Sequence, residues 1–270
     1  MIFYPARLSL VLGGGGARAA YQVGFLRGMA REFPNVSFPI LTGVSAGAIN
    51  AAHLASCTTG FPESAERLAA LWRSLTVDQV FRTDPSAIAS YMLRWAMRLV
   101  GGGTSFTPLA RGMVDTAPLR EFLLRALGTA DGNLGGIEEN LRSGRLAAIG
   151  ITATDYTSGR SVTWTQGRDV IPWKFIGRHS EPAHLTVEHI LASFALPLFF
   201  PAVQVGSHWH GDGGVQLTAP LSPALHLGAE RILAISTRYI TPLNESEMLE
   251  HASYPAPARV IGMMLDAIFL

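Results

Sequence analysis

Three glycine-containing turns, each placed after an apolar stretch, constrain what this chain can fold into. The first is the run Gly13 to Gly16, which follows Leu12, and the second is Gly43-Val44-Ser45-Ala46-Gly47. The third is Asp212-Gly213-Gly214, which follows residues 203–209. Glycine lets a strand turn sharply without side-chain clashes. The pattern therefore predicts three strands, each running into a tight turn, which together present backbone amides, a serine and a carboxylate.

Ser45 is the candidate nucleophile of this set. In a Gly-x-Ser-x-Gly sequence the serine sits on a strained strand-to-helix turn, and Gly43 and Gly47 remove side chains that would clash there. Residues 46–55 are rich in alanine and predict a helix. The N–H groups at its N-terminus would lie near Ser45, where negative charge would develop during acyl transfer. A chance match to the pattern is the alternative interpretation.

The glycine run 13–16 predicts a site for an anion. Its backbone is open on one side, so its amides could hold a phosphate or an oxyanion. A dinucleotide-binding turn is the alternative, since Gly14, Gly16 and Ala19 satisfy the relaxed fingerprint, and residues 17–32 form an amphipathic helix pattern. That fingerprint also expects an acidic residue at the end of the second strand. Here the second strand runs into Ser45 instead, which favours the oxyanion interpretation.

Asp212 is the candidate general base. A carboxylate can accept the proton of a serine if it lies within hydrogen-bond reach and its pKa is suitably tuned. The alternative is an ordinary turn residue, because Asp-Gly is a common hairpin signal. Amides, a serine on a bend and a carboxylate are the parts of a serine acyl hydrolase that uses aspartate as its base.

Taken together and in this order, the three segments resemble the signatures of the patatin-like phospholipase family. Segments 10–18, 43–47 and 212–214 carry the resemblance. Stretch 151–160 is similar to a strand and hairpin of the bacterial members, and stretches 192–201 and 220–228 resemble the family's segments before and after the catalytic aspartate. The resemblance covers most of residues 8–236. It implies a three-layer α/β/α fold and the hydrolysis of phospholipids, lysophospholipids or neutral acylglycerols, without a cofactor or a metal.

Transferred position by position, the resemblance implies that Ser45 is the nucleophile and Asp212 its base. It implies an oxyanion hole made by the amides of Gly14, Gly15 and Gly16. The positions that match the supporting residues of the motifs are Arg18, Gly43, Gly47, Gly213 and Gly214. One position departs from the family pattern, which usually has glycine after the motif arginine. Ala19 stands there, and its methyl group could crowd the helix against the strand or be absorbed by a small shift.

The alternation of apolar strands with helical patterns predicts one domain over residues 1–270, with a mostly parallel central sheet. The predicted strands are 8–12, 40–42, 146–153 and 231–236, with 161–166 as a hairpin partner of the third. The predicted helices that follow the first two are 63–75, 86–100, 117–127 and 137–143. Residues 78–115 carry no strand signal and are predicted to be a helical insertion.

The predicted helix 86–100 has a second interpretation. It places Trp95 on an apolar side and Arg94 and Arg98 on another, so it could cover the site or contact a lipid surface. An ordinary amphipathic helix packed on the sheet is the alternative.

Composition bounds the partners and the compartment. The formal charge of +1 over 270 residues gives no overall attraction to nucleic acid. Cys57 is the only cysteine, so no internal disulfide forms. No stretch has the pattern of a signal peptide or of a membrane-spanning helix. We expect a cytoplasmic protein, or one peripheral at the inner membrane surface, that acts on an acyl-ester lipid; no oligomeric state is predicted.

Three rival classes stay open at this point. A Ser-His-Asp α/β-hydrolase needs a histidine after the aspartate, which would be His226 or His251. A metal hydrolase would use His208, His210 and Asp212, which alternate along one face of a strand. A lipid-binding protein without catalytic activity could use the same fold. Loss of activity in Ser45→Ala would distinguish the interpretations with a catalytic serine from a metal hydrolase and from a lipid-binding protein.

Overall fold

The computed structural model describes residues 7–82, 89–90, 93, 112, 114–217 and 219–237. The strands are β1 (Leu8–Leu12), β2 (Ile40–Val44), β3 (Ala148–Asp155), β4 (Arg160–Gly167), β5 (Lys174–Phe175), β6 (Arg178–Pro182), β7 (Val203–Val205), β8 (His208–Asp212) and β9 (Arg231–Ile235). The helices are α1 (Ala20–Glu32), α2 (Ala46–Ser56), α3 (Phe61–Ser74), α4 (Ala117–Ala126), α5 (Gly135–Ser143), α6 (Val187–Phe194) and α7 (Ser222–His226). Short 3-10 turns occupy Gly16–Ala19, Val77–Gln79 and Gly213–Gln216.

The strands of the described part form one mixed sheet. Its order is β5-β6-β4-β3-β2-β1-β9, with β8 paired to β3 and β7 paired to β8. The central strands β3, β2, β1 and β9 are parallel to one another. The turns that follow β1 and β2 therefore open at the same edge of the sheet, because parallel strands end on the same side.

Helices cover both faces of this sheet. Leu41 and Ile149 belong to the main core, to which α1 to α6 contribute buried apolar side chains. Side chains alternate between the two faces along a strand. Ile40 and Ala148, which precede Leu41 and Ile149 on their strands, accordingly point to the other face. They lie in a smaller second core with Leu227, which follows α7. The predicted three-layer α/β/α architecture with a parallel centre is confirmed.

Most element predictions hold within a few residues, but the strand predicted for 203–209 is wrong. Residues 203–212 form a hairpin, with β7 and β8 antiparallel and a turn at Gly206, whose φ is +61°. Apolar and polar residues continue to alternate through this turn, so the alternation alone did not show that the segment contains two strands. Glycine accommodates the left-handed backbone that the turn requires.

The predicted insertion 78–115 falls largely outside the described residues. The same holds for the helix predicted at 86–100, of which only 89, 90 and 93 are described. At the base of the segment, the N–H of Arg82 donates to the carbonyl of Asp115 at 3.1 Å, and the two side chains form an ion pair. The insertion stays a prediction. In the described part of the chain, no helix has the length and apolar character needed to cross a membrane.

Candidate active site

The sheet brings Ser45 and Asp212 to the same place. Strand β4 pairs with β3 along its whole length, which leaves the other edge of β3 to be shared by two strands. On that edge β2 ends with Val44 opposite Thr152, and the antiparallel β8 ends with Asp212 opposite Ala153. The two strands thus approach each other end to end. Ser45 follows β2 directly, and so meets Asp212 at the junction.

The Gly-x-Ser-x-Gly segment forms the sharp turn that its sequence predicts. Ser45 has φ +54°, an uncommon value for a residue with a side chain, and α2 begins at the next residue. A Cβ added to Gly43 would lie 2.5 Å from the carbonyl oxygen of Gly47, and one added to Gly47 would overlap the carbonyl of Leu12. Close packing, not flexibility, is the reason for both glycines.

Ser193 on α6 fixes the backbone of this turn. Its hydroxyl accepts the N–H of Ser45 at 2.9 Å and donates to the carbonyl of Thr152 at 2.6 Å. Each buried polar group therefore has a partner, and the turn is tied to the middle of β3. Ser193 is fully buried within an apolar helix.

Asp212 is buried with an incomplete set of partners. The residue is 1% exposed, and its Oδ1 accepts the N–H of Gly214 at 2.8 Å. Its Oδ2 is buried without a hydrogen-bond partner among the described residues. The backbone of Asp212 is held firmly, because its N–H donates to Ala195 and its carbonyl accepts the hydroxyl of Thr154, both at 2.8 Å. The next residue, Gly213, packs so closely that a Cβ there would overlap the carbonyl of Thr152.

Burial sets the acidity of this carboxyl group. Removal from water raises the pKa of Asp212 to about 6, while the nearby Ser45 hydroxyl and the Gly214 N–H lower it by less. The Ser45 side chain is thus near enough to act on the carboxylate, although the pair does not form a hydrogen bond of standard geometry in the structure. Such bonds often tighten only when substrate is bound.

The glycine loop lies against Ser45. A Cβ added to Gly14 would be 3.1 Å from Ser45 Cβ and 3.7 Å from Ser45 Oγ. Gly15 and Gly16 have φ values of +143° and +53°, which favour glycine. Within the described residues, the N–H groups of Gly14, Gly15 and Gly16 donate to no acceptor. The loop thus has three N–H groups without an acceptor among the described residues, and Gly14 lies directly against Ser45.

Ala19 fits its position. Its φ of −64° is ordinary for any residue, and its side chain is fully buried. The backbone does not require glycine there, and the methyl group is absorbed. Arg18, one residue earlier on the same 3-10 turn, is exposed.

A group of buried, hydrogen-bonded polar side chains behind the glycine loop was not predicted from the sequence. Gln22 and Asn50 are both fully buried, and Asn50 accepts the indole N–H of Trp72 at 2.7 Å. Gln22 donates to the carbonyl of Gly13 at 2.8 Å. The available signal was a polar residue on an otherwise apolar helix face, the same signal that marks Ser193.

The histidines of the rival interpretations lie elsewhere. His226 stacks on Trp173 with ring centroids 4.7 Å apart. Trp173 belongs to the second core with Ile40 and Ala148, the first residues of β2 and β3. His226 therefore lies at the opposite end of these strands from Ser45. His251 falls outside the described residues.

The two strand histidines have structural contacts. His208 Nδ1 lies 3.0 Å from Asp155 Oδ2, and His210 packs edge-on against Trp164 with centroids 4.8 Å apart. Across the described ranges, no group of three or more histidine, cysteine, aspartate or glutamate side chains is arranged to hold a metal ion.

Comparison with known proteins identifies the family. The model of the family described as patatin-like phospholipase matches residues 10–225. The chain belongs to the patatin-like phospholipase family, whose domains are lipid acyl hydrolases.

A solved structure of similar fold is VipD from Legionella pneumophila. It shares 14% sequence identity, with a TM-score of 0.49, over 91% of this chain and 52% of VipD. The chain thus spans about half the length of that protein. No curated protein matches the sequence.

Proposed function

We propose that this protein hydrolyses the acyl esters of lipids with Ser45 as nucleophile and Asp212 as its base. One observation carries the proposal. Asp212 is buried beside Ser45 with one carboxylate oxygen unpartnered among the described residues, at the point where β2 and β8 meet. A buried acceptor without a partner is costly, and a function in proton transfer explains its retention.

The first step is transfer of the Ser45 hydroxyl proton to Asp212 as Oγ attacks the ester carbonyl carbon. A carboxyl group with a pKa of about 6 is mostly ionised at neutral pH, yet accepts a proton more readily than an ordinary aspartate. The protonated carboxyl group then returns this proton to the departing alcohol. An acyl-enzyme on Ser45 remains. Water attacks it, Asp212 again takes and returns a proton, and the fatty acid leaves.

The amides of Gly14, Gly15 and Gly16 are the proposed oxyanion hole. The support is the contact of Gly14 with Ser45 and the lack of an acceptor for all three N–H groups within the described part of the chain. Backbone N–H groups that are already oriented stabilise the tetrahedral oxyanion without reorganisation, and this is commonly the largest single contribution to acyl transfer.

Apolar residues between α6 and β7 support a lipid substrate. A cavity of about 340 Å³ extends along α6 and β7; Ser45 and Asp212 do not line it, but Ala195, whose carbonyl accepts the N–H of Asp212, does. Leu198 and Phe199 in the same segment are exposed at 57% and 40%. We propose a phospholipid, lysophospholipid or acylglycerol as the substrate class, met in a peripheral contact with a lipid surface.

The decisive experiment is covalent labelling with a serine-directed fluorophosphonate. The probe is expected to modify the wild-type protein once, at Ser45, and Ser45→Ala is expected to lose both labelling and esterase activity. His226→Ala serves as the matched control, because this histidine lies at the other end of the sheet. It should keep activity within about twofold, as expected for a residue that does not contact reacting groups.

Two outcomes would overturn the proposal. Mass spectrometry that places the adduct on another serine would remove Ser45 as the nucleophile. Full esterase activity in Ser45→Ala would do the same. Loss of turnover in folded His226→Ala would instead support a triad with histidine.

A further inference from the structure

The carbonyl groups of Gly13, Gly14 and Gly15 each accept a hydrogen bond, although the N–H groups of Gly14, Gly15 and Gly16 have no acceptor among the described residues. The carbonyl of Gly13 accepts the side-chain amide of Gln22 at 2.8 Å, and that of Gly14 accepts the hydroxyl of Thr237 at 2.5 Å. The carbonyl of Gly15 accepts the N–H of Arg18 at 3.0 Å in the 3-10 turn. Three consecutive peptide planes are thus each held by a donor on their carbonyl side.

The direction of the Gln22 amide follows from the donors and acceptors around it. The indole of Trp72 can only donate, so the atom of Asn50 that it contacts is the oxygen. The Asn50 nitrogen then faces Gln22 Oε1 at 3.0 Å. Gln22 Nε2 is left to face the carbonyls of Gly13 and Ile235, at 2.8 and 3.2 Å. This series of hydrogen bonds fixes which atom of each side-chain amide is the nitrogen and which is the oxygen. It also connects α3, α2 and α1 to the loop.

Thr237 performs the same function for the following peptide. It lies just after β9, and a Cβ added to Gly15 would overlap its hydroxyl group. The side chain is therefore packed directly on the loop. Its hydroxyl hydrogen points to the Gly14 carbonyl, which is the carbonyl of the peptide that carries the Gly15 N–H.

In a trans peptide the carbonyl and the N–H point in opposite directions. No peptide bond in the described residues is cis. A donor that fixes the Gly13 carbonyl consequently fixes the Gly14 N–H on the far side, and a donor on the Gly14 carbonyl fixes the Gly15 N–H. We infer that Gln22 and Thr237 are positioning residues that orient two of the three proposed oxyanion N–H groups, those of Gly14 and Gly15, from behind. This inference rests on the proposed function.

The matched pair Thr237→Val and Thr237→Ser tests the inference. Valine keeps the shape of threonine and removes the donor, whereas serine keeps the hydroxyl group. With a short soluble ester, Thr237→Val should lower kcat about tenfold with KM unchanged, since removal of a complete oxyanion donor costs roughly a hundredfold or more. Both acylation and deacylation pass through an oxyanion, so kcat falls whichever step limits. Thr237→Ser should restore most of the rate.

Two further measurements separate positioning from support of the fold. The melting temperatures of both variants should match the wild type, because Thr237 is only half buried. The rate of fluorophosphonate labelling at Ser45 should fall in Thr237→Val in parallel with kcat. Gln22→Met removes the other donor with little change in length. Its labelling rate should also fall below that of the wild type.

Each outcome has a separate meaning. If the wild type is not labelled at Ser45, the proposed function fails and this inference fails with it. If the wild type is labelled and Thr237→Val keeps kcat within about twofold, the inference alone is overturned. The inference is also overturned if Thr237→Ser is as slow as Thr237→Val, since the hydroxyl group would then not be the cause.

Discussion

Two buried aspartates on neighbouring strands differ in a way that separates structure from chemistry. Asp155 ends β3 and Asp212 ends β8, and they are 3% and 1% exposed. Asp155 accepts the Ser158 hydroxyl at 2.6 Å and the Thr157 N–H at 2.8 Å, and it contacts His208 at 3.0 Å. Burial alone would raise its pKa, but these partners outweigh burial and lower the pKa of Asp155 to about 2.

Asp212 is as little exposed as Asp155, but it lies deeper in the protein and has fewer hydrogen-bond donors around it. Its pKa is raised to about 6 because burial outweighs the hydrogen bonds that it receives. The two residues show that the donors around a carboxylate and the depth of its burial together decide its acidity. A fully partnered carboxylate stabilises the fold, whereas an under-partnered one near a hydroxyl group is suited to move a proton.

Asp212→Asn should give the largest effect. Esterase turnover should fall about a thousandfold, because Ser45 loses its proton acceptor. The free energy of unfolding at pH 7 should stay equal or rise, since the ionised carboxylate is disfavoured in the folded protein. For the same reason the wild type should gain stability as the pH falls from 7 toward 5, and the variant should not. Enzyme assays and urea unfolding measure the two quantities.

The contrast between Asp212 and Asp155 would be contradicted if Asp212→Asn kept more than about a tenth of wild-type turnover. It would also break if the variant lost stability at neutral pH, because Asp212 would then resemble Asp155.

Asp155→Asn should give the opposite result. The folded-state pKa of about 2 lies below the ordinary value of 3.8, so the ionised form stabilises the fold at neutral pH by about 2 kcal/mol. This contribution should vanish as the pH falls from about 4 to 2 in the wild type. The variant should therefore unfold at lower urea, while the folded enzyme keeps turnover within about threefold. A thousandfold loss in folded Asp155→Asn would place this residue in the chemistry.

The sequence was sufficient to predict the strands and turns that depend only on local sequence pattern. Apolar runs predict β1, β2 and β3, and the spacing of Gly43, Ser45 and Gly47 predicts the turn on which Ser45 sits. The end-to-end meeting of β2 and β8 was not predictable, because it depends on which edge of β3 each strand takes. Residues that act through the backbone, such as Ser193 and Gln22, were also missed. Their partners are carbonyl and N–H groups, which every residue carries and no motif records.

The pH dependence of Ser45 labelling tests the central claim most directly. The second-order rate constant for the fluorophosphonate should be measured between about pH 5 and 8 in the wild type and in Asp155→Asn. Because ionised Asp212 is the required base, the rate should fall about tenfold per pH unit below a midpoint near 6. The midpoint should be the same in Asp155→Asn. A wild-type rate that stays constant down to pH 5, or a midpoint that moves when Asp155 is replaced, would contradict the assignment of Asp212 as the base.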